Sequence, residues 1–187
     1  MISQIFDSGS FKVLALFALS PGSRFRRKEI KERIKLHNVP LDKSLSKLAS
    51  SGMIKKEGAY YSINFGNSQT ENVITIVAQQ HKQLKNIPLD VHLLLADIAA
   101  EIAAIKGLEI WLFGSYSKLV YSEKSDVDVA VLGPESIDKQ RIRRLFKRLE
   151  RHYGKEIGEH FFELHAFYRN KKDPLVKEIL QHGIRLL

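Results

Sequence analysis

Residues 125–132, Ser-Asp-Val-Asp-Val-Ala-Val-Leu, read as a buried β-strand, yet two aspartates stand inside it. Asp126 and Asp128 are two positions apart, so on a strand they point the same way and sit ~7 Å from one another. A desolvated carboxylate is costly unless it is paired or bound to a metal. Any fold that buries this strand must therefore supply a partner for the charges. Twelve residues before Asp126 stands Gly114, followed by Ser115, and both come directly after the apolar run Leu-Glu-Ile-Trp-Leu-Phe at 108–113. The order is strand, Gly-Ser, loop, then a strand bearing Asp-x-Asp. Two carboxylates on one face suit one hard cation, or two metals ~4 Å apart. Oxygen-only ligation selects Mg²⁺ or Mn²⁺ over zinc. Gly114 lets a phosphate approach the backbone closely, and Ser115 adds a hydroxyl and a main-chain N–H at the start of a helix. Together these features point to phosphoryl or nucleotidyl transfer.

The 187 residues are enough for one sizeable core or two small ones, and the 44% hydrophobic content predicts a folded globular chain. The net charge of +9 is unevenly spread. Residues 1–66 hold 12 Lys/Arg against 5 Asp/Glu, residues 67–107 hold 3 against 4, and residues 108–187 hold 15 against 12. The excess in the first third points to a polyanionic partner there. Cysteine is absent, which excludes disulfides and thiolate metal sites. The apolar stretch at 13–19 lacks the basic leader and small-residue cleavage site of a signal peptide. No apolar run reaches the length of a membrane span, so the expectation is a soluble, cytoplasmic protein without a membrane partner.

Residues 11–19 predict an apolar helix stopped by Pro21-Gly22. Residues 26–35 predict a second, with Ile30 and Ile34 at helical spacing. Asn38-Val39-Pro40 breaks it and opens a third, with Leu41, Leu45 and Leu48 as its apolar stripe. After Gly52, residues 53–63 read as a hairpin turning at Glu57-Gly58. Three short helices and a hairpin resemble a winged helix-turn-helix domain, as does the exit Leu45-x-x-Leu48-x-x-x-Gly52-Met53-Ile54. The resemblance implies DNA binding, with Lys43, Ser44, Ser46 and Lys47 on the groove-facing helix and Lys55 and Lys56 on the wing. A solvated polar face, or a protein-docking module, is the alternative reading of the same residues.

Residues 1–66 thus form the expected first domain. Residues 67–87 read as a polar loop and a connecting helix at 73–84. Residues 88–187 form the second domain, opened by a helix after Pro88 in which Val91, Leu94, Leu95, Ile98, Ile102 and Ile105 share a face. The motif of Gly114, Ser115, Ser125, Asp126 and Asp128 resembles the polymerase-β-type nucleotidyltransferases, in particular the minimal ones of archaea and bacteria. The helix before the first strand and the tail at 173–184 extend the resemblance over residues 88–187. It implies an α/β (α+β) fold with a mixed sheet flanked by helices, and a Mg²⁺- or Mn²⁺-dependent enzyme. Such an enzyme moves a nucleoside monophosphate from a nucleoside triphosphate to an acceptor hydroxyl. Asp126 and Asp128 would hold metal, while Gly114, Ser115, Lys118 and Ser125 would bind the nucleotide. A third carboxylate is expected on a later strand, in a hydrophobic-acid-hydrophobic triplet. Phe162-Glu163-Leu164 fits, making Glu163 the candidate, with Glu159 and His165 nearby.

The family's Ala-Arg-Gly is here Ser117-Lys118-Leu119, which keeps a cation but replaces a glycine suited to positive φ. A second reading makes the protein a DNA-binding transcriptional regulator, or antitoxin-like, with the nucleotidyltransferase domain as nucleotide sensor or partner-docking module. Related minimal nucleotidyltransferases act beside small helical partner proteins, so such a partner is implied, and oligomerisation is left open. Residues 137–153 predict an amphipathic helix. Ile142, Leu145, Phe146 and Leu149 face inward, and Arg141, Arg143, Arg144, Lys147, Arg148 and Arg151 lie on the other sides. That cluster is either a solvated surface or a guide for nucleic acid or an acidic partner.

Overall fold

The structure, a computed structural model, describes residues 6–80 and 86–187. The chain divides into two compact units, Ile2–Lys85 and Asn86–Leu187. The first is built around α1 (Ser8–Leu19), whose residues from Gly9 to Phe17 are all buried. Asp7 caps this helix by accepting hydrogen bonds from the Ser10 N–H and hydroxyl, both at 2.9 Å. The cap explains why the helix begins earlier than its apolar run. There follow β1 (Phe25–Arg26), α2 (Arg27–Ile34), α3 (Asn38–Ser50), β2 (Ile54–Glu57), β3 (Tyr60–Ile63) and α4 (Ser68–Gln80). The Arg27 guanidinium grips both Asp42 carboxylate oxygens, at 2.6 and 2.8 Å, and so fixes α2 against α3. The strands form an antiparallel sheet in the order β1-β3-β2. The hairpin turns where expected, with Gly58 at φ +60° in the left-handed region that glycine enters without cost.

Residues 67–87 are expected to form a linker and a connecting helix at 73–84. Instead α4 packs on α1, burying Ile74, Val77 and Thr70, so this helix belongs to the first unit. The part of the expected helix beyond residue 80 lies outside the described residues.

The second unit runs α5 (Leu89–Ile102), β4 (Glu109–Leu112), α6 (Gly114–Ser117), β5 (Val127–Gly133), α7 (Lys139–Tyr153), β6 (Ile157–Glu163), α8 (Leu164–Arg169), α9 (Pro174–His182) and β7 (Ile184–Arg185). Its mixed sheet has the order β6-β5-β4-β7, parallel between β5 and β6 and antiparallel elsewhere. On one face Ala130, Leu132 and Phe113 pack with Phe162 against Phe167 of α8 and Val176 and Ile179 of α9. The opposite face is that of α7, where Lys139 and Arg143 lie over the Phe161 ring and Arg143 pairs with Glu159 at 3.0 Å. Helix α7 in turn joins α5 through Tyr153, whose hydroxyl donates to Asp97 at 2.7 Å. The mixed α/β class is as expected from sequence. No helix among the described residues is long and apolar enough to cross a membrane.

Asp7 supplies a test of the first unit. Partial burial pushes its carboxyl up, but the Lys47 ammonium at 2.8 Å and the bonds from Ser10 outweigh that and hold it down at about 2, against an ordinary 3.8. A depressed carboxyl stabilises above its unfolded pKa and stops doing so as pH falls through the folded value. Asp7→Ala is expected to cost roughly 1 kcal/mol at pH 7, the scale of a lost N-cap. Urea unfolding at falling pH should show the gap to wild type closing between about pH 4 and pH 2.

Candidate functional site

Strand β4 ends at Leu112, and the Phe113 N–H donates to the Asp128 carbonyl at 3.0 Å. That bond lays the Gly-Ser turn beside the start of β5. Gly114 has φ +72°, and a Cβ there would stand 2.1 Å from Asp128 Oδ2. On the other side β6 runs parallel, with Gly158 opposite Asp128. A Cβ on Gly158 would stand 2.7 Å from Asp128 Oδ1. The carboxylate therefore occupies a cradle whose two walls lack side chains. Asp126 is exposed and stands just before β5, two residues ahead of Asp128, close enough for its charge to act on that carboxyl.

Burial pushes the Asp128 carboxyl above its ordinary range. The charge of His160 works against that, Asp126 and Glu178 reinforce it, and Lys118 again opposes it. None of the described residues donates a hydrogen bond to either of its oxygens, so the desolvated charge lacks the close partner that ordinarily offsets such burial. Among the described residues no group of three or more His, Cys, Asp or Glu side chains is assembled to hold a metal. The pair Asp126–Asp128 thus offers oxygen ligands for a cation from two carboxylates only.

The loop after Gly114 is tightly closed. The Ser117 hydroxyl donates to the Gly114 carbonyl at 3.0 Å, and the Val120 N–H donates to the Ser115 carbonyl at 3.0 Å. Tyr116 is buried and stacks on Tyr121 with ring centres 4.5 Å apart. Leu119, where the resembled pattern has glycine, adopts φ +59° and is 47% exposed. The left-handed conformation is kept although a side chain must bear its steric cost. Lys118 reaches across to α9 and pairs with Glu178 at 2.7 Å. The hydroxyl of Ser125 accepts from the Ser122 N–H at 2.8 Å, so it closes the turn before β5 rather than standing free for a nucleotide.

Glu163, expected as the third carboxylate, does not lie beside Asp128. It pairs with Gly133, five positions along β6 from the residue opposite Asp128, a distance of about 16 Å at strand rise. The odd offset also sends it toward the other face. Its carboxylate caps α8, accepting the N–H groups of His165, at 3.0 Å, and Ala166. These bonds hold the carboxyl below its ordinary range. Glu159 faces α7 and pairs with Arg143, and His165 lies in α8 rather than on a strand. The residues that do reach the field of Asp128 are His160, on its own face of β6, and the Lys118–Glu178 pair. Only the β5–β6 register, with Gly158 and His160 at alternate positions, signals the first, and nothing local in the sequence signals Glu178.

In the first unit Lys43, Ser46, Lys47, Lys55 and Lys56 are exposed. Ser44 is not: it is 3% exposed and its hydroxyl donates to the Pro40 carbonyl at 2.8 Å. A Cβ on Gly9 of α1 would lie 2.3 Å from Ser44 Oγ, so Ser44 serves the close approach of α1 and α3. Lys47 is held by Asp7 at 2.8 Å and Lys55 by Glu57 at 2.8 Å, while Lys56 lies over the Tyr61 ring.

Residues 95–187 match the family model described as Polymerase beta, Nucleotidyltransferase. A crystal structure of a mutant of the toxin-antitoxin MntA-HpeT is similar at 22% identity, over 48% of this chain and 72% of that one, with a TM-score of 0.36. No curated protein matches the chain.

The state of Asp128 has a measurable consequence. A carboxyl whose folded pKa is raised binds its proton more tightly folded than unfolded, so ionising it near neutral pH lowers stability. Asp128→Asn should raise the melting temperature of the metal-free protein at pH 7, with the gain fading as pH falls through the raised folded value and gone below the ordinary carboxylate range.

Proposed function

We propose that the second unit transfers a nucleoside monophosphate from a nucleoside triphosphate to an acceptor hydroxyl, and that the first unit is a winged helix-turn-helix that binds DNA. The observation that carries the first half is the Asp128 carboxylate, desolvated between Gly114 and Gly158 with the charge of Asp126 nearby. Magnesium is commonly held by one or two carboxylates plus substrate phosphates, so a two-aspartate site fits Mg²⁺ or Mn²⁺ arriving with the triphosphate. Bound there, the metal would supply charge stabilisation for an in-line displacement.

The remaining steps belong to the chain's own groups. Gly114 makes room for the Asp128 carboxylate, and Ser115 offers its hydroxyl and N–H to the phosphates. Lys118 lies near Asp128 and is the cation available to the terminal phosphates once it is shared with or released by Glu178. The acceptor oxygen forms a bond to the α-phosphorus as the bond to pyrophosphate breaks, and the acceptor proton leaves. With Glu163 capping α8, no carboxylate of β6 is available to take that proton, and His160 is the titratable side chain of β6 on the Asp128 face.

Those same departures favour a second reading, in which the domain binds nucleotide without efficient transfer and the protein acts as a DNA-binding regulator or antitoxin-like sensor beside a partner protein. Nucleoside triphosphate with Mg²⁺ should raise the melting temperature, by ~2.7 kcal/mol of linkage at a hundredfold excess over Kd. Asp126→Asn with Asp128→Asn should remove the metal-dependent part, while Glu163→Gln leaves it intact. Transfer of labelled nucleotide to an acceptor separates enzyme from sensor. A metal-dependent shift that persists in the double mutant would locate the site elsewhere.

For the first unit, support comes from helices α1, α2 and α3, the three-stranded sheet and the exposed Lys43, Ser46 and Lys56. Lys47 and Lys55 carry intramolecular ion pairs and would exchange them for phosphates. Lys43→Ala with Lys47→Ala should weaken duplex DNA binding and flatten the salt dependence by roughly two phosphate contacts. No affinity for DNA at low salt in the wild type would turn the unit into a protein-docking module.

A further inference from the structure

The second unit is almost neutral as a whole, yet its charge is segregated. Helix α7 holds seven Lys/Arg and one Asp/Glu, whereas the rest of residues 86–187 holds nine against fourteen. Ile142, Phe146, Leu149 and Tyr153 are buried on its inner side, which forces the cations outward. Arg143 and Arg148 are answered by Glu159 and Glu101. Among the described residues Arg141, Arg144, Lys147 and Arg151 have no ion-pair partner, and all four are exposed. They lie at offsets of three and four, the spacing that lines up one side of a helix about 22 Å long.

We infer that this face of α7 is a docking surface for the phosphodiester backbone of a nucleic acid, separate from the nucleotide site. Separation follows from the sheet: α7 covers the face of Glu159 and Phe161, whereas Asp128 lies on the face of Gly158 and His160. The chemistry of the surface selects its occupant. Three of the four unpaired cations are arginines, whose planar forks match phosphate oxygens. None of the exposed large hydrophobic residues falls within α7, so the surface lacks the apolar anchors that dominate protein–protein contacts. An excess of like charge held together without counter-charges is paid back when it displaces the counterions condensed on a polyanion.

The test uses the full chain and a labelled duplex of about 25 base pairs, titrated from low to high salt. Arg141→Gln, Arg144→Gln, Lys147→Gln and Arg151→Gln together should reduce the slope of log K against log salt by about two to four, and affinity at fixed salt by at least tenfold. The reduction should add to that of Lys43→Ala with Lys47→Ala in the first unit, since separate sites contribute independently. Replacing Arg141, Arg144 and Arg151 by Lys should restore most of the slope. An unchanged melting temperature and an unchanged metal-dependent nucleotide shift show that the variant is folded. An unchanged slope overturns the inference, including the case in which only the Lys43 and Lys47 changes weaken binding. Equal competition by polyglutamate for the wild type, lost in the α7 variant, overturns it in favour of an acidic protein.

Discussion

Strand β5 is hydrogen-bonded on both edges, to β4 running against it and to β6 running with it, and the other elements of the second unit are arranged by that double pairing. From Val129 to Gly133 every residue is buried. Cover on one side comes from α8 and α9 over Ala130 and Leu132, and on the other from the face that α7 closes. Charge is tolerated only at the beginning of the strand, before that cover is complete, and there Asp128 sits half-buried. The antiparallel neighbour delivers Gly114 to one oxygen of this carboxylate and the parallel neighbour delivers Gly158 to the other. The geometry of the site is thus set by backbone pairing, with side chains excluded from its walls.

The parts of the structure that were legible from sequence are those governed by short-range rules. The Asp-x-Asp strand, the hairpin at Glu57-Gly58, and the amphipathic helix at 137–153 each follow from alternation, turn chemistry or helical periodicity. The misplacements arise where a distant partner decides. Ser44 reads as polar and outward, but Gly9 of α1 opens a space only a small side chain can fill. Glu163 fits a local acid triplet, but strand register carries it to the wrong end of the sheet and the free N–H groups of α8 claim its oxygens. Helix α4 looks like a connector because most of its residues are polar, while Ile74 and Val77 are buried where it packs on α1.

The loop between the two motifs shows how a site can keep its shape while losing part of its usual composition. Hydrogen bonds from Leu119 and Val120 back to Tyr116 and Ser115, with the Tyr116–Tyr121 stack, over-determine the turn. Leu119 is held at positive φ by that closure and contributes an exposed apolar side chain in place of glycine. Lys118, a point charge on a flexible stem rather than a planar guanidinium fork, pairs with Glu178. The loop therefore keeps its closed conformation without the glycine and arginine of the resembled pattern.

The two glycines flanking Asp128 differ in how replaceable they are. Positive φ alone at Gly114 would be tolerated by an occasional asparagine or, as Leu119 demonstrates, by a larger residue under constraint. Gly158 is extended backbone that any residue adopts, so by conformation it is unremarkable. What both exclude is the Cβ atom, and every amino acid other than glycine carries one. Neither position consequently has a conservative substitute, and drift there must either move the aspartate or abandon it. In comparing divergent chains, the spacing from an Asp-x-Asp doublet to a downstream glycine on the neighbouring parallel strand would trace this carboxylate geometry even where the intervening loop has changed beyond recognition.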